Sequence, residues 1–301
     1  MTIYEFVQGG WIIMPYGKTI ELFLVNGTAD SIITAELSNW NGKAIKIPRI
    51  EVRDCTRDDI TQAGVYFLFC KNDDDSESVY IGESENVKLR LIQHLQSYQS
   101  DQEKYYWTTA VIFIGRDLNK TMIRYLENKL VEIAKECKRY KVITKNTYIN
   151  TVIKESDCAV MEEFIDDIKI VINALGYKVL EPLITHSPAG IVDNDLLYIS
   201  IGDAKATGKT TTEGFVVLKG AIINEKMNPK SLSSNIINLR NKLLGEKFNN
   251  LTSTEDILFS SSSAAADFIL GYSVTGPKTW KDKNGKTLKE IEAEKSNPSD
   301  Q

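Results

Sequence analysis

A run of apolar side chains at residues 64–70, GVYFLFC, limits what this chain can fold into more than any other feature. Neither alternate set of side chains along the run is polar, so a strand here must be covered on both faces. The run therefore predicts a central strand of a sheet, with structure packed on each side. The short apolar run SVYIG at 78–82 is predicted to pair with it across the acidic connection DDDSE at 73–77.

Further elements follow these two strands. Apolar residues recur at helical spacing between Asn86 and Tyr98, and TTAVIFIG at 108–115 is typical of a third strand. Asp117 or Asn119 then caps a second helix, because Asp and Asn side chains accept hydrogen bonds from the first free amides of a helix. Hairpin, helix, strand and helix together predict a compact α+β domain over residues 56–150.

The flanking parts of the chain predict three more segments. Asn-Gly pairs at 26–27 and 41–42 lie beside apolar runs, which indicates hairpins and a β-rich N-terminal unit over residues 1–55. An amphipathic helix at about 158–175 predicts a helical linker, 151–190. The remainder, 191–298, is predicted to be a small α/β accessory domain with a strand at 214–223 and helices at 231–245 and 260–271.

The composition and patterning of the chain argue against several classes of protein. No uninterrupted apolar run approaches the roughly 20 residues that a membrane-spanning helix needs, so no membrane partner is expected. The start of the chain lacks the pattern of a signal peptide, and we expect a cytoplasmic location. The four cysteines are scattered without a close pair, which favours reduced thiols over a disulfide framework or a zinc site; they are Cys55, Cys70, Cys137 and Cys158.

The net charge is −5, but two segments are locally basic. Residues 138–154 hold five basic and no acidic side chains, and residues 219–247 hold six basic and two acidic ones. Each segment is compatible with an ordinary solvated face or with contacts to nucleic-acid phosphates. The candidates for phosphate contact are Lys141, Lys145, Lys226, Lys230, Arg240 and Lys242.

Reactive side chains converge on the predicted hairpin. Arg90 and His94 are four residues apart, so they project from one face of the helix that follows the strand of Tyr80. Tyr66 can lie on the neighbouring strand. Glu127 borders the apolar stripe of the second helix, where a glutamate that only sought solvent would gain little.

These residue types suit the hydrolysis of a phosphodiester. A carboxylate can hold Mg²⁺, and the planar guanidinium of arginine complements the charge on a pentacovalent phosphorus. A phenol has an ordinary pKa of about 10, so a nearby cation must lower the pKa before the phenol can act as a base. Taken singly, each residue also fits a bland reading as a packing or surface side chain.

The combined spacing is more specific. The triplets GVY and YIG, followed by Asn86, Arg90 and His94, a glutamate in RYLENKL and an asparagine in TKNTYIN, resemble the GIY-YIG nuclease family over residues 64–146. The resemblance implies a small three-stranded antiparallel sheet flanked by helices that cuts DNA with one divalent metal ion, Mg²⁺ or Mn²⁺.

The resemblance also implies a role for each matching residue. Tyr66 would be the general base or water-positioning phenol, Tyr80 its hydrogen-bonding partner, and Arg90 the cation at the transition state. His94 would assist at the phosphate, Glu127 would be the metal ligand, and Asn146 would shape the site. The acidic connection at 73–77 does not fit the charge expected of a DNA-binding face. Its carboxylates repel phosphates unless the connection swings aside or binds cations.

The flanking segments resemble regions found beside such nucleases, a resemblance that implies architecture and no substrate. GDAKATGKT at 202–210 ends like a phosphate-binding loop, but five residues separate its glycines where that loop has four, so a flexible loop and no nucleotide cofactor are expected. His186 has no companion histidine for a metal pair. Two functions are compatible with the sequence: a metal-dependent DNA endonuclease, or a DNA-binding or partner-binding protein that keeps the fold and cuts little.

Overall fold

The computed structural model describes residues 4–7, 10–13, 17–71, 76–144, 153–184 and 195–296, with backbone alone for the first two ranges. The chain divides into two compact units, Met1–Pro182 and Leu183–Gln301. Both contain helices and antiparallel sheets, so the predicted α+β class is confirmed. Across the part of the chain that is described, no helix is both long and apolar enough to cross a membrane.

The first unit is built on one seven-stranded sheet in the order β3-β4-β5-β8-β6-β7-β9. Its pairs are antiparallel except β7 with β9, and β1 with β2 forms a separate hairpin. The strands are β1 (Tyr4–Val7), β2 (Gly10–Ile13), β3 (Ile20–Leu24), β4 (Ile33–Leu37), β5 (Gly42–Pro48), β6 (Gly64–Lys71), β7 (Glu77–Ser84), β8 (Trp107–Gly115) and β9 (Lys141–Val142).

The central apolar run forms β6, as its composition predicts, with β7 on one side and β8 on the other. Its side chains alternate between two cores, because successive residues of a strand point to opposite faces. Val65, Phe67 and Phe69 enter one core. Tyr66 and Leu68 enter the other. The sheet is therefore a middle layer, covered on both faces.

Three helices cover this sheet: α1 (Val87–Gln99), α2 (Lys120–Cys137) and α3 (Glu155–Ala174). Leu91 of α1 lies in the core that contains Tyr66. Helices α2 and α3 pack on the opposite face. Of the two predicted caps of α2, Asn119 is the one used, since its side chain accepts from the amides of Thr121 and Met122. Short 3-10 turns lie at Arg49–Glu51 and Asp59–Thr61.

The structure divides this region differently from the predicted boundaries at 55 and 151. Strand β5 pairs with β8 from Gly42 opposite Gly115 to Pro48 opposite Thr109, so the N-terminal strands continue the central sheet. Phe164 of α3 packs its ring against Trp40 at 5.0 Å between centroids, inside the same core. The expected N-terminal unit and most of the expected helical linker therefore belong to the same compact unit as the central strands. Strand β5 covers an edge of β8 that would otherwise be unpaired, and α3 joins through its packing in the core.

The second unit has a four-stranded antiparallel sheet in the order β10-β11-β12-β15 and a small β13-β14 hairpin. Its elements are β10 (Leu197–Ile201), β11 (Ala204–Thr211), β12 (Gly214–Val217), α4 (Ser234–Glu246), β13 (Phe248–Asn249), β14 (Thr252–Ser253), β15 (Ile257–Phe259), α5 (Ser262–Leu270), α6 (Gly276–Thr279) and α7 (Leu288–Ser296). The strand predicted at 214–223 is shorter than expected, and both predicted helices are present.

The expectation of a flexible loop at 202–210 is wrong, because most of this segment is strand β11. Gly208 pairs with Val217, and a Cβ at this glycine would lie 2.4 Å from the ring of Phe215. Gly208 therefore allows the ring of Phe215 to pack directly against the strand. A phosphate-binding loop instead opens a helix with free amides, whereas this segment is a strand.

We predict that Ile45→Ala lowers the unfolding free energy of the first unit by about 2–5 kcal/mol, the usual range for removing a large buried aliphatic side chain. Ile45 of β5 is fully buried and stands opposite Ile112 of β8. Urea denaturation followed by tryptophan fluorescence measures the effect in a Trp280→Phe background, in which every remaining tryptophan belongs to the first unit. Leu22→Ala is the control, since Leu22 is 49% exposed, and about 0.5 kcal/mol or less is expected. Equal losses would contradict the shared core.

Candidate active site

Two tyrosines from the central hairpin form the floor of the candidate site. Tyr66 on β6 and Tyr80 on β7 lie on the same face, with ring centroids 6.2 Å apart. Gly82 stands directly opposite Tyr66 in the sheet register. A Cβ at Gly82 would lie 2.5 Å from the Tyr66 hydroxyl oxygen and 2.8 Å from the Tyr80 ring. The glycine of the YIG triplet is thus required because the tyrosine rings lie across it.

Arg90 joins the two hydroxyl groups. Helix α1 begins after Asn86, whose side chain accepts from the amide of Leu89, and this start places Arg90 one turn along. Its guanidinium hydrogen-bonds both Tyr66 and Tyr80. Burial acts to lower the pKa of Arg90, but the two hydroxyls outweigh it and raise the pKa overall. The cation therefore stays charged and is held in place by both phenols.

His94 lies one turn beyond Arg90 and is only 1% exposed. Its Nε2 is 2.9 Å from the Tyr66 hydroxyl oxygen, and its Nδ1 is 2.7 Å from Oε1 of Glu103. Burial, together with Arg90 and Arg49, lowers the pKa of His94 to about 3, so the ring is neutral at neutral pH. The expectation that His94 reaches the phosphate does not match this position, because both ring nitrogens are engaged inside the protein.

The pKa values of the two phenols are not lowered, as a role as a base would require. Burial raises the pKa of Tyr66 well above its ordinary value, and Arg90 opposes this rise without overcoming it. The pKa of Tyr80 is raised for the same reason. Both hydroxyls are therefore protonated at neutral pH. Tyr66 is in hydrogen-bonding reach of a neutral imidazole, which suits a donor better than a phenolate base.

Glu127 brings a carboxyl group from helix α2. The side chain is 6% exposed, and its Oε2 is buried with no hydrogen-bond partner among the described residues. Burial raises the pKa of Glu127 to about 7, with a further rise from Glu83; Lys120, Arg90 and Arg124 act to lower it. Its charge in turn raises the pKa of both Tyr66 and Tyr80. Glu127 thus interacts electrostatically with Arg90, Tyr66 and Tyr80.

The structure also identifies a second carboxylate near Glu127. Glu83, at the end of β7, accepts hydrogen bonds from Lys120 at 2.8 and 2.7 Å. Within the described ranges no group of three or more His, Cys, Asp or Glu side chains is arranged to hold a metal ion. A single buried carboxylate oxygen without a partner nevertheless fits a divalent cation that takes its other ligands from water and phosphate.

Some predicted site residues fall outside this geometry. Asn146 and Lys145 lie outside the described residues, as do Asp73, Asp74 and Asp75 of the acidic connection. Thr144, the last described residue before them, is tied to the YIG triplet, since its hydroxyl bonds both the amide and the carbonyl of Ile81 at 2.8 Å.

The predicted basic contacts divide into two groups. Lys141, Lys226, Lys230 and Lys242 are exposed. Arg240 is 2% exposed, and its guanidinium donates to the backbone carbonyls of Phe268 and Asn224. Burial lowers the pKa of Arg240. The prediction that Arg240 contacts phosphates is corrected here: it lies between Ile236 and Leu243 on the inward stripe of α4, a spacing that the sequence itself contains.

Glu103 and Glu83 were not predicted. Glu103 lies in the polar turn between α1 and β8, where no periodicity marks one acid above another. Glu83 directly follows the YIG triplet, and this adjacency is the one signal that could have drawn attention to it.

Comparison with known families agrees with the two units. A family model described as GIY-YIG catalytic domain matches residues 62–141. A second, described as Domain of unknown function (DUF4357), matches residues 197–292. No curated protein and no solved structure matches the chain.

We predict that the unfolding free energy of the first unit in the metal-free wild-type protein falls relative to that of Glu127→Gln as pH rises from 4.5 to 7; the comparison cancels the opposite contribution of His94, whose lowered pKa is common to both proteins. Folding raises the pKa of Glu127 from 4.5 to about 7, so within this window the folded state holds a proton that the unfolded state has released. The difference corresponds to about 3 kcal/mol in total. Urea denaturation in EDTA, again in the Trp280→Phe background, measures it at several pH values.

Glu132→Gln is the matched control, because the Glu132 side chain lies on the same helix and is 58% exposed. The difference between this variant and the wild-type protein should stay constant across the range. A constant difference for Glu127→Gln as well would contradict the raised pKa.

Proposed function

Because this chain carries a GIY-YIG catalytic domain, the mark of a nuclease family, we propose that it is a divalent-metal-dependent endonuclease that hydrolyses phosphodiester bonds in DNA. The observation that carries the proposal is the position of Arg90 against the buried Tyr66 and the half-buried Tyr80, with an electrostatic interaction with Glu127. A structural arginine would gain little from this position, since its charge costs free energy to bury.

Each group has a role that follows from its surroundings. Arg90 is a fixed cation, and a preorganised cation stabilises the charge that develops on phosphorus without reorganising during the reaction. Its two phenol partners hold the guanidinium in one orientation. Tyr66 positions the attacking water through its hydroxyl, which is close to both Arg90 and His94.

Glu127 would hold the metal ion through its unpartnered oxygen. A bound Mg²⁺ or Mn²⁺ supplies Lewis-acid polarisation of a phosphoryl oxygen and stabilises the leaving oxygen. Lys120 and Arg124 compensate part of the local negative charge, because both act to lower the pKa of Glu127. Glu83 stays paired with Lys120, so Glu127 is the carboxylate left to serve a ligand.

The exposed lysines of the second unit, Lys226, Lys230 and Lys242, are proposed to contact the DNA backbone, as is Lys141 beside β7. Lysine ammonium groups neutralise phosphates without reading sequence. This assigns the accessory domain to holding the nucleic acid and the first unit to cleavage. Asn146 and Lys145 keep their predicted roles in the site and in phosphate contact.

We predict that supercoiled plasmid is nicked by the wild-type protein with Mg²⁺ or Mn²⁺, and that Glu127→Gln and Arg90→Lys each lower the rate by about 10²–10³-fold. Lysine keeps the charge of Arg90 but lacks the planar fork that bonds two phenols. Gel electrophoresis of the plasmid over time measures nicking, and EDTA should stop it.

Two variants control for these changes. Glu132→Gln repeats the loss of charge on the exposed side of α2, and Arg116→Lys repeats the arginine change at an exposed position. Both should nick at the wild-type rate. Nicking by Glu127→Gln at that rate would count against this site, and DNA binding without cleavage under every metal tested would favour a binding protein that keeps the fold.

We predict that replacing Lys226, Lys230 and Lys242 together by glutamine weakens DNA binding and reduces the slope of log K against log salt by about 3, since each phosphate contact contributes about 0.9. Fluorescence anisotropy of a labelled duplex at several salt concentrations measures the slope. The control replaces three other exposed lysines of the same unit, Lys278, Lys289 and Lys295. An equal reduction in both would place the contacts elsewhere.

A further inference from the structure

The turn after helix α1 presents one carboxylate to the candidate site. The amides of Gln102 and Glu103 both donate to the carbonyl of Ser97, at 2.9 and 3.2 Å, and tie the turn to the end of the helix. Asp101 adopts a left-handed backbone conformation with φ of 57°. Oε1 of Glu103 is consequently held 2.7 Å from Nδ1 of His94.

This contact determines which nitrogen of His94 carries the proton. A carboxylate only accepts hydrogen bonds, so Nδ1 of a neutral imidazole facing it must be the N–H. Nε2 is then an acceptor, and it lies 2.9 Å from the Tyr66 hydroxyl. The three groups form a directed chain: Tyr66 donates to His94, and His94 donates to Glu103.

The other groups facing His94 do not supply this orientation. Tyr80 meets the ring edge at 5.1 Å between centroids, and the Tyr105 hydroxyl is 3.4 Å from Nδ1. Arg90 and Arg49 are cations that disfavour an imidazolium. Glu103 is the carboxylate in contact with the ring, so it is the group able to stabilise a proton arriving at Nε2.

We propose that Glu103 is a positioning residue that fixes His94 as the acceptor of the Tyr66 proton during phosphodiester hydrolysis. This inference rests on the proposed endonuclease function. As the water oxygen bonds to phosphorus and the bond to the leaving oxygen breaks, the water proton passes to Tyr66 and the Tyr66 proton passes to Nε2. The positive charge on His94 faces Glu103. The leaving oxygen takes a proton from a second water, and the hydroxide left by that water receives the proton that returns from Nε2 through Tyr66.

This transfer of protons from water to Tyr66 and from Tyr66 to His94 explains how a phenol can act at a site where it is buried. Tyr66 exchanges one proton for another and never has to exist as a free phenolate, which its burial disfavours. A histidine buried beside two arginines is a weak base even with Glu103 in place. Nε2 therefore holds the proton only while the water oxygen bonds to phosphorus, and the carboxylate on the far nitrogen keeps Nε2 free to accept it. The same logic underlies the carboxylate that orients histidine in serine hydrolases.

The tautomer of His94 can be read without any nuclease activity. His186, outside the described residues, is the other histidine of the chain, so in a His186→Gln background the nitrogen resonances of ¹⁵N-histidine protein report His94 alone. We expect Nδ1 protonated and Nε2 unprotonated at pH 7. Glu103→Ala should populate the Nε2–H tautomer, Glu103→Gln should restore the original one in part, and Glu85→Ala, which removes an exposed carboxylate, should change nothing.

Cleavage kinetics supply the second measurement. Glu103→Ala is expected to lower kcat about 100-fold, within the range for general-base assistance, with KM unchanged and with partial recovery in Glu103→Gln. An Nε2–H tautomer in the parent protein, or an unchanged tautomer and kcat in Glu103→Ala, would overturn the role of Glu103. Parent protein with the expected tautomer but no cleavage of any DNA would instead overturn the proposed function.

Discussion

The first unit depends on the pairing of β6 between β7 and β8. This position buries every residue of β6 except Lys71, and alternate side chains enter different cores. Tyr66 is therefore a packing residue and a site residue at once. The polar groups of the site therefore lie within the hydrophobic core that contains Tyr66, away from solvent. This explains why Tyr66, His94 and Glu103 hydrogen-bond to one another.

Burial raises the pKa of the acidic groups of the site and lowers the pKa of its histidine. It favours the neutral forms of Tyr66, His94 and Glu127, because a charged group loses hydration in a dry environment. Arg90 remains charged because two hydroxyl groups solvate it. Arg90 is thus a fixed cation beside the neutral forms of Tyr66, Tyr80 and His94, an arrangement suited to receiving an anion.

Much of this arrangement follows from the sequence. Strands β6, β7 and β8 and helices α1 and α2 were predictable because their apolar spacing and Asn caps are local features, and Tyr66, Tyr80 and His94 on them lie in contact. Three results were not. The pairing of β5 with β8 is non-local, so boundaries read from composition placed β5 in another domain. Arg240 was assigned by charge although its helical register points inward. Glu103 is defined only by a contact across a turn.

The continuity of the sheet determines which part of the chain can be moved into another protein and still fold. A segment cut at residues 56–150 would contain the motif residues but would leave β8 with a bare edge where β5 had paired along its length. Exposed strand edges recruit other chains, so such a fragment would tend to associate with itself. The unit that folds as one body begins with the strands ahead of the motif and runs through α3.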